Sequence, residues 1–174
     1  MTPFVQDYFN AERFESLFFM GVGVIAMAIS LYFIFVMKKP FFYGMAISLI
    51  FVGLIQLVVG ATIFVRSPKD ITRVENILTK EPKRIQNEEV PRMKTVMKSF
   101  VTYRYVEISL AVLGLILYFV FASQNIFGSF SNELLKGLGL GLAIQAILML
   151  GLDFFAEKRG SEYLENLIEL EKNN

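Results

Sequence analysis

The sequence predicts an all-α, polytopic membrane protein in which four transmembrane helices form two helical pairs, each followed by a cytoplasmic amphipathic helix. Of its 174 residues, 55% are hydrophobic, whereas soluble domains have about 45–50%. The charged residues, 19% of the chain, are concentrated in residues 66–107 and 153–172. Apolar blocks of more than 20 residues separate these regions, and a helix of about that length crosses a bilayer.

The four apolar blocks are the predicted transmembrane spans, residues 14–37, 41–65, 100–122 and 134–156. The first could be mistaken for a signal peptide, but Asp7, Glu12 and Arg13 give it a net negative lead instead of a basic one. It also continues for 24 residues, which is longer than the apolar core of a signal peptide. We therefore expect this first block to stay in the membrane.

An amphipathic segment follows the second span, and another follows the fourth. Their cores are VENIL (residues 74–78) and LENLI (residues 164–168), and the apolar residues of each fall on one helical face. These residues are Ile71, Val74, Ile77 and Leu78 in the first segment, and Leu164, Leu167 and Ile168 in the second. The repeated plan divides the chain into residues 1–99 and 100–174 within one membrane domain. Shared ancestry and chance similarity both fit matches of this length.

The third span is predicted to extend beyond the membrane. Pro91 favours a helix start, and a helix from Arg92 to Ala122 would be about 46 Å long. The hydrocarbon core is only about 30 Å thick. The excess length places the basic side chains of Lys94 and Lys98 outside the core, where they would anchor the helix or bind anionic headgroups.

The distribution of lysine and arginine predicts the orientation of the chain. Fourteen of these residues lie on the side that holds both termini and residues 66–104, whereas three lie on the other side, namely Lys38, Lys39 and Lys136. Because cytoplasmic loops are rich in Lys and Arg, we expect both termini in the cytoplasm. The expected location is the plasma (inner) membrane of a bacterium. The outer loops, residues 38–40 and 123–133, are too short to form a domain.

The composition excludes several classes of function. The chain has no cysteine and no histidine, which removes thiolate nucleophiles, imidazole acid–base catalysis and nearly all transition-metal sites. We therefore predict no catalytic residues, no cofactor and no metal site, and hence no enzyme. The net charge of +1 provides no basic field that would attract nucleic acid.

Charged side chains at the cytoplasmic ends of the spans form a candidate intramembrane charge network. Its members are Glu15, Arg66, Arg104, Glu107, Asp153 and Glu157. Glu107 is the deepest of them, because the 15 residues from Ile108 to Ala122 cover only about 22 Å of the core. A carboxylate inside the core marks either a tight ion pair or a functional site.

The balance of charge favours mutual pairing within this network. Acidic residues and arginines are nearly equal in number at this level, whereas a cation-selective mouth would have surplus acid. Asp153 and Glu157 are four residues apart on one helical face and repel each other. We expect Arg66 or Arg104 to lie between them, and either side chain is also a candidate to reach Glu107. An ion or proton site is the alternative.

Two glutamines, Gln56 and Gln145, lie near the middles of the second and fourth spans. An unpaired amide at that depth is costly, so each is expected to find a partner. A hydrogen bond between helices is the favoured interpretation, and a polar lining for a pathway is the alternative. Small residues at helical spacing, such as Gly137 and Gly141, favour close packing within the chain over a homodimer seam.

These observations together predict a non-enzymatic interaction or accessory protein, such as an assembly factor, a scaffold or an immunity partner for another membrane protein. The alternative is a subunit of an oligomeric ion channel or transporter that uses Glu107 and the midplane glutamines. An enzyme acting on lipid would have to rely on Glu107 or Asp153. The expected partners are the lipid bilayer and either a membrane protein or further copies of this chain, and no nucleic acid.

Overall fold

The computed structural model describes residues 3–123 and 126–172, and nearly all of them are helical. The helices are α1 (Pro3–Tyr32, continued by a π-helical turn at Phe33–Met37), α2 (Pro40–Lys80), α3 (Arg84–Ser123) and α4 (Ser129–Lys172). These two ranges contain no strand, which confirms the all-α prediction. All four helices are long and apolar enough to cross a membrane, and each contains one predicted span.

Three of the helices are much longer than a membrane crossing requires. With 41, 40 and 44 residues, α2, α3 and α4 are each about 60–66 Å long, twice the thickness of the hydrocarbon core. The segments VENIL and LENLI are continuations of α2 and α4, so no break separates them from the spans. α3 likewise crosses residues 99 and 100 without interruption.

The start of α3 differs from the sequence prediction, which placed it at Pro91. The helix begins at Arg84, and Pro91 lies inside it. Proline cannot donate the helical hydrogen bond at its position. Burial of Ile85 and Val90 against the other helices offsets that loss, because it holds the preceding two turns in place.

The molecule has two distinct ends. At the loop end, Lys38 adopts a left-handed conformation (φ 50°) and donates its N–H to the carbonyl oxygen of Phe33 at 3.2 Å, which closes the π-helical turn. Pro40 then begins α2, where its missing N–H leaves no helical bond unmade. The opposite end, which we call the charged end, comprises the segments outside the predicted spans: residues 3–13, 66–99 and 157–172.

The spans are arranged in the order α1, α2, α4, α3. α1 packs along α2, α3 packs along α4, and α2 packs against α4. Within the described residues, the backbones of α1 and α3 do not come within 8 Å of each other. α2 and α4 are therefore central, and most of the circumference of α1 and α3 is covered by no other span.

Glycines allow the closest contacts between the spans. Gly23 of α1 faces Gly53 of α2, Gly44 of α2 faces the α4 backbone, and Gly114 of α3 faces Gly139 of α4. A Cβ atom on Gly23, Gly44 or Gly114 would overlap backbone atoms of the neighbouring helix. The small residues thus pack within the chain, as their spacing predicted.

All four helices meet in one hydrophobic core at the charged end. Its buried residues are Val5, Tyr8, Phe9, Val74, Ile77, Ile85, Val90, Met93, Tyr163 and Leu167. The rings of Tyr8 and Tyr163 stack with centroids 4.0 Å apart, which ties α1 to α4. The helices that are separate in the spans are therefore joined at this end.

Candidate functional site

The charged residues predicted to form one network are divided among separate contacts. On the side of α1 and α2, Glu12 accepts a hydrogen bond from Arg66 at 3.0 Å and another from Ser67 at 3.0 Å. Arg66 also contacts Asp70, one turn along α2, at 3.1 Å. Arg66 does not lie between Asp153 and Glu157, because this face of α2 is turned toward α1 and a different face packs on α4.

Glu15 belongs to a second contact, between α1 and α4. Both of its carboxylate oxygens accept hydrogen bonds from the guanidinium group of Arg159. A bidentate pair of this kind fixes the relative orientation of the two helices. This ion pair joins α1, an outer span of the first predicted helical pair, to α4, the central span of the second.

Arg104 and Glu157 form a third contact, between α3 and α4. The Arg104 side chain is about half exposed, and its guanidinium group lies against Glu157. The arginine expected to lie between Asp153 and Glu157 thus bonds only to Glu157 among the described residues. Arg104 forms no ion pair with Glu107 among the described residues, and its guanidinium group is directed to Glu157 instead.

Glu107 is left facing a second acid. Its side chain is 3% exposed, and neither carboxylate oxygen accepts a hydrogen bond from any N–H or O–H group among the described residues. The group that it meets is the carboxyl of Asp153 on α4, which lies within hydrogen-bonding reach. Both groups are acceptors when ionised, so they can bond only if one of them carries a proton.

A cleft between α3 and α4 brings four of the six predicted network residues together. It has a volume of about 220 Å³. Its lining residues are Phe100, Arg104, Glu107, Ile108, Leu150, Asp153, Phe154 and Glu157. The apolar walls come from both helices, and the charged residues are spaced at single helical turns. Glu15 and Arg66 do not line this cleft.

The midplane glutamines meet between α2 and α4, away from the cleft between α3 and α4. Gln56 of α2 donates its amide to the side-chain oxygen of Gln145 at 3.3 Å, and the two side chains are 0% and 1% exposed. The favoured interpretation, an interhelical hydrogen bond, is therefore what the structure contains. Neither glutamine lines the cleft at Glu107, so the two polar sites are not brought together.

One polar cluster at the charged end was missed from the sequence. Glu89 of α3 is completely buried and accepts hydrogen bonds from Arg73, Arg92 and Tyr163. Burial alone would raise the pKa of this carboxyl, but the bonds from Arg92 and then Arg73 outweigh it and hold the pKa below its ordinary value. A signal for its burial was present, since Glu89 falls four residues after Ile85 on the apolar face of the helix.

The chain's own side chains define its available chemistry. No protein-family model matches the chain, and no curated protein or solved structure is significantly similar to it. Within the described residues, no group of three or more Asp and Glu side chains converges to hold a metal ion. The cleft offers two adjacent carboxyl groups in apolar surroundings, an arrangement suited to binding a single positive charge.

Proposed function

We propose that this protein is a non-enzymatic integral membrane protein that serves as an interaction or accessory partner of another membrane protein, in the role of an assembly factor, scaffold or immunity partner. The observation that carries the proposal is the sealed seam between α2 and α4. The polar groups at mid-depth, Gln56 and Gln145, bond to each other and leave no open polar lining there. Gly44 and Gly137 close the same seam nearer the loop end.

The outer faces of α1 and α3 support the same proposal. Each of these helices packs along only one other span, so a broad apolar surface faces the plane of the membrane. Exposed residues on this surface include Val24 and Ile25 of α1, and Leu113, Ile116 and Phe119 of α3. Lipid covers such surfaces, and a second membrane protein can replace that lipid through close packing.

The proposal includes the finer arrangement predicted from the sequence. α1 with α2 and α3 with α4 act as two pairs, and each pair ends in an amphipathic helical extension. The charged end faces the cytoplasm, because it holds most of the lysine and arginine. The hydrophobic core there gives the accessory protein a rigid platform on that side of the membrane.

A subunit of an ion channel or transporter is the second candidate. The buried Glu107, which has no basic partner among the described residues, favours it, because intramembrane carboxylates mark ion and proton pathways. Four helices seldom enclose a pathway alone, so this candidate requires further copies of the chain. Gln56 and Gln145 would not take part, since they are bonded to each other.

Photo-crosslinking in native membranes tests the first candidate. A photoreactive residue at Ile116, on the outer face of α3, or at Ile25 on α1 is expected to give one protein adduct of defined mass. The matched control is Leu117, the next residue of α3, which faces Gly139 of α4 and should give adducts within the chain only. Adducts with lipid alone at both outer positions would contradict the proposal.

Ion flux into liposomes separates the two candidates. The purified protein alone is expected to give no flux above that of protein-free liposomes, because the α2–α4 seam is closed. Robust flux that disappears in Glu107→Gln would establish the second candidate and refute the first. The Glu162→Gln variant, an exposed acid on α4, controls for the loss of one charge.

A further inference from the structure

The contact between Glu107 and Asp153 cannot persist with two ionised carboxylates and no counter-charge. Like charges in contact repel strongly where apolar groups replace water. The Glu107 side chain is 3% exposed, and both of its oxygens lack an N–H or O–H donor among the described residues. Glu107 and Asp153 line the same cleft. One positive charge is therefore needed between these two side chains.

The other charged groups of the cleft do not supply that charge. α3 and α4 are the helices that line it, and they contribute Arg104 and Glu157 besides the two acids. The guanidinium of Arg104 bonds to Glu157, so this pair is internally neutral. α1 and α2 place no described residue in the lining. The cleft as a whole carries one arginine against three acids.

We propose that Glu107 and Asp153 form a proton-binding site that holds one proton between them, as a carboxylic acid donating to a carboxylate. The proton forms a short, charge-assisted hydrogen bond and reduces the charge of the pair to −1. The cleft, with the half-exposed Arg104 near its charged end, is the route by which the proton exchanges with solvent. This site is independent of whether the protein binds a membrane partner.

A proton fits the geometry better than a metal ion. Calcium takes about six to eight oxygen ligands, and magnesium about six. Here two carboxyl groups face each other directly, and the third acid of the cleft, Glu157, is held by Arg104. The described residues contain no larger group of acids that would complete a metal's coordination shell. A proton needs only the two oxygens that meet.

An apolar carbodiimide, which reacts with protonated carboxyl groups, tests the site in the purified protein. Mass spectrometry of proteolytic fragments is expected to find the adduct on Glu107 or Asp153 at neutral pH, with labelling that declines as the pH rises. Glu133, which is about half exposed and pairs with Lys136, should stay unlabelled. Absence of any adduct on the pair from mildly acidic to neutral pH would refute the proposal. Protection by sodium or calcium at constant pH would show a metal site and would refute it equally.

The Asp153→Asn variant tests whether the proton is shared. Its amide can donate to an ionised Glu107, so Glu107 no longer needs the proton, and its labelling should fall by about tenfold or more. Glu162→Gln, on the same helix but exposed, should label like the native chain. Unchanged labelling of Glu107 in Asp153→Asn would mean that burial alone holds the proton, which would overturn the shared site. Helical circular dichroism and a single gel-filtration peak verify folding, and the pH profile of the native chain decides the matter if the variant misfolds.

Discussion

Replacing Glu89 with alanine is expected to lower the free energy of unfolding of the charged end by about 3 kcal/mol. The Glu89 side chain is completely buried beside the hydrophobic core, and it is the shared acceptor for Arg73 and Arg92. Alanine would leave the guanidinium group of Arg92 without its bidentate partner, while Arg73 would keep only its 3.3 Å contact with Asp70. Because Arg73 is about a third exposed, water can solvate it in part. The lower end of the range for a broken buried pair therefore applies.

The geometry of the cluster explains why its loss is so costly. Arg92 donates through Nη2 to Oε1 of Glu89 at 2.6 Å and through Nε to Oε2 at 2.9 Å, which is a bidentate pair. Arg73 adds a bond of 2.7 Å from α2, and Tyr163 adds one of 3.2 Å from α4. One carboxylate thus joins three helices. Its depressed pKa means that this contribution is present above the unfolded pKa of about 4.3 and is lost as the pH falls through the folded pKa.

Chemical unfolding in detergent, followed by circular dichroism at neutral pH, measures the effect. Glu88→Ala is the matched control, because Glu88 is the preceding residue, is 39% exposed and, within the described part of the chain, pairs only with Arg84 on its own helix. An exposed pair of this type contributes about 0.2–1 kcal/mol. Equal destabilisation by Glu88→Ala and Glu89→Ala would contradict the role of the buried cluster. Glu89→Gln should also destabilise, since its amide would place a donor against two donors.

The spans could be predicted from sequence because membrane crossing depends mainly on local composition. Each of the four predicted blocks, residues 14–37, 41–65, 100–122 and 134–156, lies within a single helical segment of the structure. The free energy of inserting an apolar helix into lipid depends mainly on its own residues and not on which helices pack against it. No tertiary information is therefore needed. The same reasoning places the charged segments outside the spans.

The partners of individual charges could not be predicted, because they depend on the rotation of each helix about its axis. Arg66 and Arg104 were equally good candidates for the acids of α4. Only Arg104 faces them, since α2 turns its Arg66 toward Glu12 of α1. Glycine contacts between backbones set these rotations, and the spacing of glycines does not state which helix each will meet.

The buried cluster at Glu89 was missed for a related reason. Charged residues are dense in residues 66–104, and the prediction from sequence did not use the fact that Ile85, Glu89 and Met93 share one helical face. An acid on such a face is stable only if other helices bring arginines to it. Arg73 on the extension of α2 meets that condition, and Arg92 of α3 and Tyr163 of α4 complete the site. The predicted start at Pro91 cut off the first part of α3. The hydrogen bond between Gln56 and Gln145, by contrast, could be predicted, because both glutamines lie near the middle of a span.

Gly137→Ala is expected to destabilise the contact between α2 and α4 by about 1–3 kcal/mol. A Cβ atom at this position of α4 would overlap the carbonyl oxygen of Phe41 and would lie 2.7 Å from its carbonyl carbon. Phe41 belongs to the first turn of α2, so the obstacle is backbone that cannot rotate away as a side chain would. The two helices would have to separate. Unfolding in detergent, with the helical signal as the readout, measures the change.

Gly151→Ala on the same helix is the matched control. No atom of another helix lies within 4 Å of a Cβ placed there, so the added methyl group meets no neighbour. Alanine is the better helix former, and this variant should therefore be neutral or more stable by up to about 1 kcal/mol. Equal stability of the two variants would mean that α4 does not depend on close approach to α2.

The effect of Gly137→Ala should extend to the middle of the membrane. Since Gln145 lies two helical turns from Gly137, about 12 Å along the axis, separation at Gly137 would also lengthen the 3.3 Å bond to Gln56. The closed seam between α2 and α4 would then open at mid-depth together with the glycine contact. Liposomes that contain Gly137→Ala would show this as ion flux above that of the native chain.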